Sequence, residues 1–125
     1  MTEILAAEPQ IFVTDMARAL AYYGDILGFR TVFTFGEPLF YAQVGRAGAR
    51  INVRLVAAVP FDAAFRAREA DALSVTLALD EAEPLFREYQ AAGAIFHQGL
   101  RSEDWGAKSF IVADPDGNLI AFAGS

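Results

Sequence analysis

Few side chains in this 125-residue chain are equipped for chemistry. His97, within Phe96-His97-Gln98, is the single histidine and the one group whose ordinary pKa falls near neutrality. A lone histidine on a strand more often serves structure, and no serine or acid stands at a recognisable triad spacing from it, although a triad is defined by geometry and not by order. There is no cysteine, which removes thiolate nucleophiles, disulfides and sulfur-ligated metals together. Asp114-Pro115-Asp116-Gly117-Asn118 looks like a calcium loop but lacks the twelve-residue spacing and the closing glutamate. Its proline and glycine make it a hairpin turn. Gly45-Arg46-Ala47-Gly48 is likewise a turn, because no Gly-Lys-Ser/Thr follows to cradle a phosphate.

Composition narrows the partners. Ten Lys+Arg stand against sixteen Asp+Glu, a net charge of −6, and Lys108 is the only lysine. No basic run exists to neutralise phosphates, so a nucleic-acid binder is excluded. Hydrophobic residues at 54% and charged residues at 21% exclude a disordered chain. Residues 1–9 carry Glu3 and Glu8 but no Lys or Arg, unlike a secretory signal, and no apolar run approaches the roughly 18 residues of a membrane span. The expectation is one soluble domain, cytoplasmic, with neither nucleic acid nor membrane as partner.

The elements that must position these residues repeat. One step of 65 residues separates Asp15 from Asp80, Leu20 from Leu85 and Gly28 from Gly93. Between Asp15 as N-cap and Gly28 as left-handed C-terminal residue, Met16, Ala19, Leu20, Tyr23 and Leu27 fall at helical spacing. Tyr22 and Tyr23 cannot both face the core of a regular helix, which leaves Tyr22 the freer. In the second helix Leu85, Phe86, Tyr89 and Ala92 make the stripe, Asp80 and Glu83 have capping-box spacing, and Pro84 fits the first turn. Period-two segments at 10–14, 29–35, 39–44 and 49–56 surround the first helix; 73–79, 94–100, 107–113 and 118–123 surround the second. The pattern predicts an α+β fold of two βαβββ modules, about 8–57 and 72–125, forming a curved mixed sheet around a cleft. A connector at 58–71, with Phe61, Phe65, Arg66 and Arg68, holds a short helix.

If one face of each sheet packs on helices, alternate residues face the other way, into a cleft. Ile51, Val53 and Leu55 suit the helix side, leaving Arg50, Asn52 and Arg54 to the cleft; Ile11 and Val13 leave Glu8, Gln10 and Phe12. Phe33, Phe35, Phe40 and Tyr41 are placed to wall the same space. Apolar walls with a few fixed polar groups are the usual form of a small-ligand site. Each residue also has a plainer reading: Arg50 and Arg54 as exposed partners of acids, Glu8 as a solvated strand start. If Glu8 and Arg54 meet in a dry cleft, they neutralise one another.

The paired modules, with Tyr22-Tyr23-x3-Leu27-Gly28-Phe29 on the first and Asp114-Pro115-Asp116-Gly117-Asn118 near the end, resemble the vicinal oxygen chelate superfamily, which holds glyoxalase I, extradiol dioxygenases and bleomycin-resistance proteins. Pro9, six residues before Asp15, and Trp105-Gly106-x2-Ser109-Phe110 are most similar to the bleomycin-resistance type. The resemblance implies a metal quartet at Glu8, Asn52, Ser74 and Ala121. Alanine cannot ligate, serine is a poor donor and His97 lies elsewhere, so neither a hard-cation nor a zinc site assembles and no metal or other cofactor is expected. Trp105, on its loop, is expected to cover the cleft mouth and stack on a flat ligand. The expected ligand-binding set is therefore Glu8, Phe33, Phe40, Tyr41, Asn52, Arg54, His97 and Trp105, with no catalytic residue. The function implied is a homodimeric protein that sequesters a drug-like or aromatic small molecule, as in antibiotic resistance. The alternative is a lyase, isomerase or dioxygenase-type enzyme using Glu8, His97 or Tyr41, with an atypical metal site or none.

Overall fold

Alternation along 49–55 decides which way the first sheet faces. Ile51 and Val53 are fully buried while Asn52 is half-buried and Arg54 exposed. The computed structural model describes residues 1–125. In chain order it contains β1 (Gln10–Val13), α1 (Met16–Ala21) running into a π-helical turn (Tyr22–Ile26), β2 (Arg30–Phe35), β3 (Tyr41–Arg46) and β4 (Ala49–Leu55). After the connector helix α2 (Ala63–Arg68) come β5 (Val75–Ala78), α3 (Ala82–Ala92), β6 (Ile95–Ser102), β7 (Lys108–Ala113) and β8 (Leu119–Gly124). The sheets run β1-β4-β3-β2 and β5-β8-β7-β6, each with its first and last strands parallel and its other junctions antiparallel. These are two βαβββ modules in an α+β fold. No helix is long and apolar enough to cross a membrane.

The two modules share one core on their helical sides. Ile11, Val13, Ile51 and Val53 of the first sheet join Val75, Phe110, Ile120 and Phe122 of the second, with Tyr23 and Tyr89 between them. Each such fully buried side chain contributes about 1.5–3 kcal/mol. Polar clamps close both ends of the seam. At one end Tyr23 Oη donates to Asp114 Oδ2 (2.9 Å), Thr14 Oγ1 to Asp116 Oδ1 (2.6 Å) and Asn118 Nδ2 to the Phe12 carbonyl (2.9 Å). At the other, Arg46 grips Glu88 with two hydrogen bonds (2.6 and 2.9 Å), and Arg46 Nη1 and Tyr89 Oη both donate to the Leu27 carbonyl.

Helix α1 starts where its sequence places it: Asp15 is extended and its carboxylate accepts from the Arg18 N–H at 2.9 Å. Three expectations need correcting. Tyr22 is not free, for both tyrosines are buried. The π turn carries one more residue per turn than an α-helix, which swings Tyr22 inward. Its hydroxyl then donates to the Ala113 carbonyl (2.8 Å) and accepts from the Ile95 N–H (3.0 Å), both in the second module. Helix α3 begins one residue late, at Ala82, with Glu81 as N-cap and no side-chain cap. The carboxyl-terminal strand does that work instead, since the Ala82 N–H donates to the Ser125 carbonyl at 3.0 Å, and Asp80 turns to its neighbour's N–H. β3 also runs on through Gly45 and Arg46, so the β3–β4 turn is shorter than the four residues expected.

Candidate functional site

The strand register sorts the open face of the first sheet into rows. One row reads Phe12, Arg54, Tyr41, Phe35 from β1 to β2; the next reads Gln10, Asn52, Gln43, Phe33; the third holds Arg50, Gly45 and Arg30. Residues opposite one another on a face have Cβ atoms about 4.5–5.5 Å apart, so each row is in contact across the sheet. Polar members of the first two rows are tied together: Tyr41 Oη donates to Gln10 Oε1 (3.0 Å) and Gln43 Nε2 to Asn52 Oδ1 (2.9 Å). Phe33 stacks near Tyr41 with centroids 6.3 Å apart, Phe40 meets Phe35 edge-on, and the Arg54 guanidinium lies over Phe40, 5.6 Å from its centroid. A slip in register between Thr31 and Phe33 turns both Phe33 and Phe35 to this side.

Five of the eight expected residues, Phe33, Phe40, Tyr41, Asn52 and Arg54, thus lie together. The other three stand apart. Glu8 is on the exposed segment before β1, in a shallow depression shared with Arg50 and Ser74, and makes no ion pair with Arg54. His97 sits at a bulge in β6, where Nε2 is 2.7 Å from Oδ1 of Asp71 in the connector. Trp105 is 76% exposed on the β6–β7 loop. One member of the face was missed, Gln43, only 7% exposed; Gln10, expected on the cleft side, stands in the same row. The signal for Gln43 was present, since Tyr41 and Gln43 alternate with Ala42 and Val44, both buried.

The open face of the second sheet is different in kind. Its rows read Thr76, Ala121, Ile111, Gln98 and Ala78, Ala123, Ser109, Arg101. Small side chains dominate, and Ile111, Leu119 and Ala121 form a cluster separate from the main core. Glu103 accepts from Ser109 and Arg101, which together hold its carboxylate below the usual range. A cavity of about 410 Å³ also lies on the seam between modules, under Arg46 and lined by Phe29, Leu77, Leu85, Tyr89 and Phe122. None of the expected residues lines it.

The superfamily's metal quartet does not fit these residues. Asn52 is engaged by Gln43, Ser74 Oγ donates to Asn118 Oδ1 (3.3 Å), Ala121 has no donor atom, and Glu8 is on the exposed amino-terminal segment. No three His, Cys, Asp or Glu side chains converge to hold an ion anywhere in the molecule.

Two βαβββ modules joined through their helical sides, each presenting one open sheet face, define a class of small α+β proteins. The chain belongs to the Glyoxalase/Bleomycin resistance protein/Dioxygenase superfamily, whose sequence model matches residues 5–122. Three solved structures illustrate the likeness. A bleomycin-binding protein from bleomycin-producing Streptomyces verticillus, complexed with copper(II)-bleomycin, is 19% identical with a TM-score of 0.76, covering 100% of this chain and 99% of that one. A bleomycin resistance determinant encoded on the transposon Tn5 is also 19% identical, with a TM-score of 0.76 and 98% coverage of each chain. TioX from Micromonospora sp. ML1 is 22% identical with a TM-score of 0.71, covering 97% of this chain and 96% of that one. At these identities the likeness shows the fold. No curated protein matches this sequence.

Proposed function

We propose that this protein is a non-catalytic small-molecule-binding protein that sequesters a partly aromatic, drug-like ligand on the open face of its first sheet, acting in the cytoplasm as a homodimer. The observation that carries this reading is the make-up of the first two rows. They hold aromatic rings, amides and one guanidinium, with no Asp, Glu, His, Cys or Lys among them. Such a face supplies stacking area and fixed hydrogen bonds, the usual equipment of a ligand site, but among the common acid–base residues only the Tyr41 phenol. Similar structures that bind bleomycin support sequestration as the purpose.

A second copy completes the cleft in this proposal, its face of small side chains set opposite the aromatic one. Supporting this, Phe33 and Phe35 are 44% and 65% exposed in one chain. The enzyme reading has one observation in its favour, the short contact between His97 and Asp71. The deciding experiment pairs calorimetric titration of bleomycin-type and aromatic compounds with turnover assays on glyoxalase and catechol substrates, with and without nickel, zinc or iron. Saturable binding without turnover is expected; turnover that depends on His97 would replace this reading with the enzymatic one.

A further inference from the structure

We infer that the ligand of the first sheet's open face is a planar aromatic anion, such as a fused-ring carboxylate, whose charged group pairs with Arg54. The inference rests on the binding-protein reading above and goes on to specify the ligand. Its first ground is a charge pattern opposite to that of the whole molecule. The chain carries sixteen acids against ten basic residues, yet three of those ten, Arg30, Arg50 and Arg54, stand on the three rows of this face, and no acid does, Glu8 lying beside Arg50 on the exposed segment before β1. The facing rows of the second sheet, if a second copy brings them up, add no carboxylate from their strands either; the nearest, Glu103, is already held by Arg101 and Ser109.

The second ground is that Arg54 is unspent. Arg50 donates to the Ala47 and Ala49 carbonyls, and Arg46, Arg18, Arg87 and Arg101 each have a carboxylate partner. Arg54 has neither a carboxylate nor a carbonyl, only the Phe40 ring beneath it. That ring orients a guanidinium without consuming its fork of donors, which matches a carboxylate in two hydrogen bonds.

The third ground is geometry. Tyr41 is directly opposite Arg54 in its row, and Phe33 stacks beside Tyr41 one row on. Two rows on one strand are separated by about 7 Å, so a fused two-ring system laid on Tyr41 and Phe33 places a ring substituent within reach of Arg54. The amides of Asn52 and Gln43 border the same ring.

The test uses three probes with one ring system and different charge: 2-naphthoate, 2-naphthamide and 2-naphthylmethylammonium, titrated calorimetrically into the protein at neutral pH. Naphthoate is expected to bind at least about tenfold tighter than the amide, consistent with a charge-assisted pair, and the ammonium weakest. In Arg54→Gln the preference for the acid should fall to about twofold with amide affinity kept; Arg54→Lys should recover part of it. Because Arg54 is exposed and makes no hydrogen bond, both variants should keep the wild-type thermal midpoint. Equal affinity for acid and amide, tightest binding of the ammonium, or an acid preference that survives Arg54→Gln would each overturn the anion inference while leaving a binding face. Failure of all three probes would overturn this inference and the aromatic-ligand reading together.

Discussion

Asp114 is the most heavily engaged side chain in the molecule. Its carboxylate accepts from the backbone N–H groups of Asp116 and Asn118, from Asn118 Nδ2 and from Tyr23 Oη, all at 2.9 Å. Burial nevertheless outweighs those donors and holds its pKa above the ordinary carboxylate value. Asp114→Ala orphans three buried donors and one half-buried one, each costing about 1–3 kcal/mol less whatever entering water recovers, so a loss of about 3 kcal/mol or more is expected in urea denaturation. A loss below about 1 kcal/mol would show that the network is not what joins the hairpin turn to α1. Tyr89 gives the pH dependence. Burial pushes its phenol up to about 12, against about 10 in an unfolded chain. The unfolded state therefore sheds the proton first, and the stability this group contributes is whole below pH 10 and lost between 10 and 12. At about 1.4 kcal/mol per pKa unit the loss approaches 3 kcal/mol. Urea midpoints at pH 8 and pH 11.5 check it, with Tyr89→Phe expected to lessen the fall, the remainder coming from Tyr22 and Tyr23, whose phenols burial also raises; an equal fall in the wild type and Tyr89→Phe would refute it.

The repeat gives an internal comparison between elements. Gly28 and Gly93 end the helical segments of the two modules, both with positive φ, +73° and +84°. A Cβ at Gly93 meets nothing within 4 Å, whereas one at Gly28 would stand 2.6 Å from Arg46 Nη1, in the clamp that also holds Glu88. Gly93→Ala should cost about 1–2 kcal/mol for the left-handed backbone alone. Gly28→Ala should cost measurably more and raise the pKa of Glu88, which the Arg46 hydrogen bond now lowers. Equal costs with an unmoved Glu88 titration would mean that Arg46 gives way freely. The same step of 65 residues made the modules readable, because Asp15, Gly28 and the 3.6-residue stripes are local signals. Alternation likewise put Asn52 and Arg54 on the open side of their strand, where Phe33 and Tyr41 also lie. The π turn was not readable, since what favours it is a pair of hydrogen bonds, one donated by Tyr22 to the Ala113 carbonyl and one accepted from the Ile95 N–H, both more than 70 residues away. Nor was the start of α3, which the carbonyl of the last residue caps, or the pairing of His97 with Asp71 across a connector.

For the molecule as a whole, the exposed first sheet calls for a cover. Every residue of β2 is exposed, although Thr31 and Thr34 face the helical side and Phe33 and Phe35 the open one. A bare edge strand with large apolar side chains is a liability that proteins normally cover. In the proposed homodimer a second copy would account for this, and dimerisation would have an electrostatic consequence. Each chain carries −6, so association brings like charges together and should tighten with salt, the reverse of the naphthoate–Arg54 pair, which salt should weaken. Sedimentation equilibrium at micromolar protein is expected to show a species of twice 13.5 kDa, more fully populated at about 300 mM salt than at about 20 mM. If ligand is held between the two copies, saturating naphthoate must also raise the dimer fraction, because a ligand that binds only one state draws the equilibrium toward it. A 13.5 kDa species that binds naphthoate with unchanged affinity at every protein concentration would show that the face works alone, leaving the exposure of β2 to be explained by some other partner.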